Sequence, residues 1–248
     1  MTSSPDVTEG GLDPATAHAF RSTWPAAETL HLHGFDVPRS PKSGGGRVTA
    51  ARSNGPWTVG DIEAAAAQQT RLGQDQLFSV WDADTQLSDA LTLAGFQATN
   101  PTCVMATAVA GLADAPLPRM KAFACWPPLA MQVELWADTG IDATRQAVMD
   151  RVALPKAALL GRARDRAAGI GFVAVDGPVA MVHALAVLPD FRRQGVAKWM
   201  LQLAARFARD NGADSIALAV ARQNTGAVAL YEKLGFREVA GYWYFQRD

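Results

Sequence analysis

Two helices of this chain end in the same way, at Gly95-Phe96 and at Gly235-Phe236, and the two stops lie 140 positions apart. A glycine in the left-handed position after a helix, with an apolar residue behind it, satisfies the last carbonyls and stops the helix. Before each stop the same order is expected. In the first half it is a helix over residues 61–72, a short strand over 76–81 and a helix over 87–94. In the second half, a helix over 196–209 carries an apolar stripe of Val196, Met200, Leu203, Ala204 and Phe207 and ends at Asn211-Gly212, which tolerate positive φ. A strand over 215–220 follows, in which Ile216, Leu218 and Val220 alternate with alanines. A helix over 225–234 then takes Asn224 as its N-cap. Gly55 and Gly195 share the 140-residue offset. So long a period is no solenoid unit and points to duplicated domains. In this register Arg192 falls opposite Arg52 but Tyr231 opposite Leu91, so the first copy is expected to keep the shape and lose the chemistry.

The prolines of the segment 111–119 bias their neighbours away from helix and mark a boundary. This gives a first domain over 1–112, a linker over 113–119 and a second domain over 120–248. The 23 basic and 24 acidic side chains nearly cancel, and no Lys/Arg cluster stands out, which removes the footprint of a nucleic-acid or anionic-membrane binder. The first ten residues lack a basic stretch followed by an apolar one, and no apolar run is long enough to span a bilayer, so a soluble, unexported, cytoplasmic protein is expected. The two cysteines, Cys103 and Cys125, form no CxxC pair, and free thiols are expected in place of a disulfide framework, a zinc cluster or a nucleophile.

Three apolar segments, 156–164, 169–175 and 179–188, follow one another with an Asp176-Gly177 hairpin signal between the last two, and read as an antiparallel meander. The last strand runs through Arg192-Arg193-Gln194-Gly195-Val196-Ala197-Lys198 directly into the amphipathic helix. A strand, a basic glycine turn and a helix N-terminus make an anion site. Main-chain N–H groups and the positive helix end can hold a pyrophosphate, Gly195 lets the backbone approach, and Arg192, Arg193 and Lys198 add charge.

Arg192-x-x-Gly195-x-Ala197, after a strand ending Leu-Ala-Val-x-Pro, resembles the acetyl-CoA motif of the GNAT N-acetyltransferase superfamily. The run from Asn224 to Phe236, with Leu-Tyr in its helix and Leu-Gly-Phe at its end, resembles the family's second signature. The resemblance covers residues 156–248, while the first half resembles the motif-less first domain of tandem members. It implies an α/β (α+β) fold of two GNAT-like domains, each a mixed, mostly antiparallel sheet flanked by helices. It further implies that the backbone of Leu185, Ala186 and Val187 pairs with the pantetheine arm of acetyl-CoA, and that an amide near Val187 binds the thioester oxygen. Asn224 touches the cofactor in relatives, and Tyr231 is placed beside the sulfur as the acid for the leaving thiolate. Many relatives carry a glutamate base where this chain has Ala219. That leaves His183, a water chain or no dedicated base to neutralise the amine.

The expected reaction is direct transfer of an acetyl group from acetyl-CoA to a primary amine, without a metal. The acceptor is a small molecule or a peptide, and the protein a monomer or homodimer. A second reading is an acyl-CoA-binding sensor without turnover. Other signals weigh less. Gly169-Ile-Gly171-Phe-Val-Ala174 fits a dinucleotide pattern but continues a strand instead of opening a helix. His31 and His33 lack a third ligand. The run from Lys42 to Arg47, with three glycines, reads as a mobile hairpin tip that edges the acceptor pocket. Trp126, Trp136, Trp199, Tyr242, Trp243 and Tyr244 read as core packing, with Trp243 or Tyr244 available to line the acceptor site.

Overall fold

A computed structural model describes residues 9–40 and 44–247. The opening segment read for a leader, residues 1–8, and Lys42 and Ser43 of the glycine run lie outside the described residues. Helix α1 (Pro14–Ser22) starts where Asp13 accepts from the Thr16 N–H at 3.0 Å. The strands β1 (Glu28–His31), β2 (Phe35–Arg39) and β3 (Arg52–Ser53) form a small antiparallel sheet in that order. After them come α2 (Val59–Arg71), β4 (Gln76–Trp81), α3 (Thr85–Leu93), β5 (Gln97–Ala108) and the short α4 (Val109–Ala113). Residues 114–121 carry neither helix nor strand, and Arg206 holds their start by donating to the carbonyls of Ala113 and Ala115 at 3.0 Å each. The second half contains β6 (Ala122–Cys125), α5 (Ala130–Asp138), α6 (Ala143–Arg151), β7 (Lys156–Ala163), β8 (Arg166–Asp176) and β9 (Val179–Val187). It closes with α7 (Val196–Asp210), β10 (Ser215–Ala221), α8 (Thr225–Lys233) and β11 (Arg237–Arg247).

Helices flank a mixed, mostly antiparallel sheet, and the only parallel pair of named strands among the described residues is β9 with β10. The halves do not close on themselves, however. One eight-stranded sheet runs β4-β11-β5-β10-β9-β8-β7-β6, so each half inserts its last strand into the other. The exchange is nearly symmetric. Arg237 faces Ala106 and Gln97 faces Gln246, while Thr102 and Tyr242, themselves 140 positions apart, face each other at the centre. Asp82 and Arg222, at the same offset, pair at 2.6 Å across the junction. The physical reason is edge satisfaction: β10 and β11 both offer open edges, and β5 fills the space between them with two full ladders.

The 140-residue register holds for α3 and α8, whose ends correspond residue for residue, and for the strands on either side. It fails at the preceding helix. Helix α2 begins at Val59 and α7 at Val196, so Gly55 is not the counterpart of Gly195, and the Arg52–Arg192 correspondence lapses with it. Thr58 and Asp61 close the start of α2 with a reciprocal capping box, whereas Gly195 caps α7 with no side chain.

Among the described residues, four apolar clusters hold the layers together. Helices α4, α7 and α8 cover one face of the sheet, with Met200, Leu201, Ala204 and Ala208 of α7 fully buried. Burial of each large side chain contributes about 1.5–3 kcal/mol. Helix α1 covers the exchanged strands on the other face through Ala19 and Phe20, and α5 and α6 cover β7 and β8 through Trp136, Val148 and Met149. Helices α2 and α3 pack on β2 and β4 around Phe35 and Phe78. No helix among the described residues is long and apolar enough to cross a membrane.

Because β5 completes the second half, residues 120–248 expressed alone will leave two open ladders. We expect that fragment to be insoluble or aggregated by sedimentation, and co-expression with residues 1–119 to restore a soluble, folded pair.

Candidate active site

Strands β9 and β10 run in register from Val179–Ser215 to Val182–Leu218 and then part. The cause lies in β9. Its pairing with β8 jumps from Phe172–His183 to Ile170–Ala186, one residue more on β9, and Ala184 at the bulge has φ 49°. The opposite position is Gly171, where a Cβ would stand 3.0 Å from Leu185. Beyond the bulge, Leu185, Ala186 and Val187 present a main-chain edge toward β10 that no strand completes.

The turn after β9 leads to the start of α7. Arg193 has φ 61° and Gly195 φ 85°, and the first N–H groups of α7 receive no side-chain cap. Arg193 and Lys198 are exposed; Arg192, also exposed, donates to the Val187 carbonyl at 3.4 Å, and Gln194 to that of Asp190 at 3.0 Å. Gly161 and Gly169, paired across β7 and β8, let this end of the helix lie on the sheet: a Cβ on Gly161 would meet Val196 at 2.6 Å, and one on Gly169 would meet Met200 at 2.8 Å. The sequence-expected Arg192, Arg193, Gln194, Gly195, Val196, Ala197 and Lys198 are thus gathered around one uncapped, positive helix end. Asn224 instead caps α8, accepting from the Ala227 N–H at 3.2 Å, and lines the cavity described next.

Where β9 and β10 part there is a cavity of about 510 Å³. Tyr231 lines it from α8, buried at 7% exposure, with no hydrogen-bond partner for its hydroxyl among the described residues. Burial and the neighbouring Cys103 push its phenol up to about 12. Ala219 also lines the cavity, so the position of the missing glutamate faces it without a functional group. His183 reaches the wall but is engaged at both nitrogens: Nδ1 lies 3.1 Å from Arg47 and Nε2 2.9 Å from the Thr23 hydroxyl, which itself donates to Ala19 at 2.6 Å. Arginine can only donate, so the network assigns the proton to Nε2 and leaves Nδ1 as acceptor. Burial and Arg47 lower the pKa of His183 well below its usual value. In this arrangement the ring is neutral yet has no lone pair for an incoming amine.

Several wall residues come from the first half: the glycine run expected at the pocket edge supplies Gly44, Gly45, Gly46 and Arg47, while sequence reasoning missed Trp24, Asn100 and Thr102 and gave Arg47 no role of its own. Arg47 had a faint signal, an arginine directly after three glycines. Those glycines are packed, not a solvent tip. Gly44 sits against Ser40 and Val48, and Gly46 lies where a Cβ would meet the Tyr244 ring at 2.8 Å. Tyr242 and Tyr244 line the cavity, while Trp243 points to the other face. Trp136 donates to the Ala184 carbonyl at 3.4 Å and braces the bulge. Gly169 and Gly171 lie within β8, as their strand context required. His31 and His33 turn to separate partners, Asp36 and Asp61, and no metal-binding group occurs among the described residues. Cys103 and Cys125 are free thiols.

Residues 124–236 match the model of the acetyltransferase (GNAT) family. A mycothiol acetyltransferase of Clavibacter sepedonicus is 30% identical over 190 residues, which are 74% of this chain and 59% of that protein, so the chain spans less than two thirds of this relative. The fold superposes on a GCN5-related N-acetyltransferase from Kribbella flavida with a TM-score of 0.70 at 15% identity, covering 94% of this chain and 92% of that one. A tandem GNAT protein from the clavulanic acid biosynthesis pathway gives a TM-score of 0.56 at 12% identity over 86% of this chain and 77% of that one. The fold is that of these GNAT structures, an α/β architecture with a split parallel strand pair. Residues 124–236 form a domain of the GNAT family.

The buried, neutral His183 makes stability pH-dependent. Its folded pKa lies below the unfolded value of about 6.5, so the unfolded chain gains the proton first as pH falls, and stability is lost below that value by up to about 1.4 kcal/mol per pH unit. We expect His183→Asn to flatten the difference in urea-unfolding free energy between about pH 7 and about pH 5.5 relative to the parent protein.

Proposed function

We propose that the protein is an N-acetyltransferase that moves an acetyl group from acetyl-CoA to a primary amine. The observation that carries this reading is the parting of β9 and β10 beside the buried Tyr231 hydroxyl, in line with the uncapped start of α7. The relative's name, mycothiol acetyltransferase, supports acyl transfer to a small molecule. The residues present suit the cosubstrate. The N–H groups at Gly195, Val196, Ala197 and Lys198, with Arg192 and Arg193, would hold the pyrophosphate, and the open edge of Leu185, Ala186 and Val187 would hold the pantetheine arm by strand addition. Acetyl-CoA supplies an activated acyl carbon, at which an N–C bond forms as the C–S bond breaks.

Tyr231 Oη gives its proton to the departing sulfur, and the proton lost by the acylated nitrogen passes through water to restore the phenol. Its high pKa keeps that proton in place through neutral and mildly alkaline pH, which suits an acid. The acceptor must arrive as the neutral amine, because an ammonium has no lone pair. No Asp or Glu among the described residues lines the cavity, and the proposed reading assigns the amine's deprotonation to a water chain or to no dedicated base. His183 positions Arg47 through its Nδ1 instead of accepting a proton. Residues 1–112 would act as a worn GNAT-like domain whose task is to wall the acceptor cavity, with the chemistry in residues 120–248.

Free-CoA release from acetyl-CoA, measured over a panel of amines, amino acids and N-terminal peptides, tests the activity. Silence across the panel with intact acetyl-CoA binding by calorimetry would favour the non-catalytic sensor. We expect Tyr231→Phe to lower kcat by about 10²–10⁴-fold with the acetyl-CoA Kd unchanged, and unchanged turnover would remove the acid assignment. The parent rate should rise with pH as the amine deprotonates, with no alkaline fall below about pH 11, since burial holds the phenol near 12.

A further inference from the structure

The cavity that would receive the acceptor has a one-sided charge. Its described lining contains two arginines, Arg47 and Arg145, and no carboxylate. Arg47 comes from the first half, half-buried, and is held from several sides. Nη1 donates to His183 Nδ1 at 3.1 Å, Nη2 donates to the Phe20 carbonyl, and the guanidinium carbon lies 3.8 Å from the centre of the Phe20 ring. Its other charged and polar neighbours are Arg52, Tyr242 and Tyr244. Burial keeps the Tyr244 phenol well above its usual value, and therefore neutral. Burial also lowers the pKa of Arg47, but a guanidinium stays charged at neutral pH. A fixed cation has thus been taken partly out of water beside a cavity, and no carboxylate among the described residues pairs with it. Arg145 stands at the rim against Gly45, on α6.

Resting on the transferase reading, we propose that the acceptor is an amine that also carries a carboxylate, and that Arg47 binds the carboxylate, with Arg145 assisting at the mouth. The guanidinium fork matches a carboxylate bidentately, and a buried cation without a counter-ion is costly enough that a ligand anion is its natural complement. The same charge addresses the missing base. Two cations near the cavity disfavour the ammonium form of the bound amine and promote the neutral nucleophile. Polycationic acceptors meet the opposite outcome and are repelled.

The test compares α-, β- and γ-amino acids with their carboxamides and their decarboxylated amines. It uses both free-CoA release and calorimetric binding to the protein saturated with free CoA. The acids should exceed their amides by about tenfold to a hundredfold in kcat/KM, the contribution expected of a charge-assisted hydrogen bond. Arg47→Met should bring kcat/KM for the preferred acid down to that of its amide measured in the same variant, with acetyl-CoA binding unchanged. Arg145→Gln, an exposed site with little packing, should raise KM for the acid a few-fold and guards against a folding defect in the first variant. Amides or polyamines turned over as well as the acids, or a preference that survives both variants, would overturn the proposal and leave the transferase reading intact. Carboxylate-selective, Arg47-dependent binding with no CoA release would support the pocket and count against the transferase reading.

Discussion

The cavity depends on one ladder, the antiparallel pairing of β5 with β11. Each of these strands closes its own half of the chain, and each is inserted next to the other half's strand. The pairing is almost self-complementary about Thr102 and Tyr242 because both strands occupy equivalent places in their halves, offset by 140 positions. Its consequence reaches well past the ladder. It sets Asn100 and Thr102 of the first half beside Tyr242 and Tyr244 of the second, and it fixes β10 from the side opposite β9. With β10 held on one edge, the bulge in β9 opens a cleft instead of drawing β10 along with it. Gly241 shows how tight the junction is, since a Cβ there would run into the Asp82–Arg222 ion pair.

Within that shared frame, the two halves finish the same features differently, and the differences are electrostatic. The start of α2 is closed by its own Thr58, which accepts from the Asp61 N–H, and by the carboxylate of Asp61, which accepts from the Thr58 N–H and places a negative charge where an anion would sit. The start of α7 is capped by Gly195 with no side chain, and basic residues surround it. A helix end satisfied internally has no donors to offer; one left open is an anion site. The same contrast separates Leu91, fully buried in the first core, from Tyr231, which carries a hydroxyl to the cavity wall. Shape is kept in both halves, and the open helix end and the cavity hydroxyl occur in the second.

The charge of the cavity follows from both halves together. Thr23, His183 and Arg47 form a chain of donors and acceptors in which the imidazole links a helix end to a guanidinium, and its own neutrality is enforced by burial and by the adjacent cation. A histidine used this way is a spacer with a fixed tautomer. On the proposed reading, the catalytic burden on side chains falls on Tyr231, and the local field supplies what a carboxylate base would otherwise do.

Much of this was legible before any tertiary contact was known. Period-two and period-3.6 patterning located β10, α7 and α8, the Gly-Phe stops located the helix ends, and the basic glycine turn located the open helix terminus, because each of these depends on neighbours a few residues apart. The sequence alone also determined that residue 219 has no carboxylate and residue 231 has a phenol. Partner choice was another matter. Which strand fills the edge of β10 depends on contacts more than a hundred residues distant, between edges that local pattern makes equivalent, so only the folded sheet decided that β5 enters the second half. The same is true of Arg47 against His183, which are 136 residues apart. Local pattern could make one a loop arginine and the other a strand histidine, but only their packing against Phe20 and Thr23 turned the pair into a fixed positive charge beside the cleft.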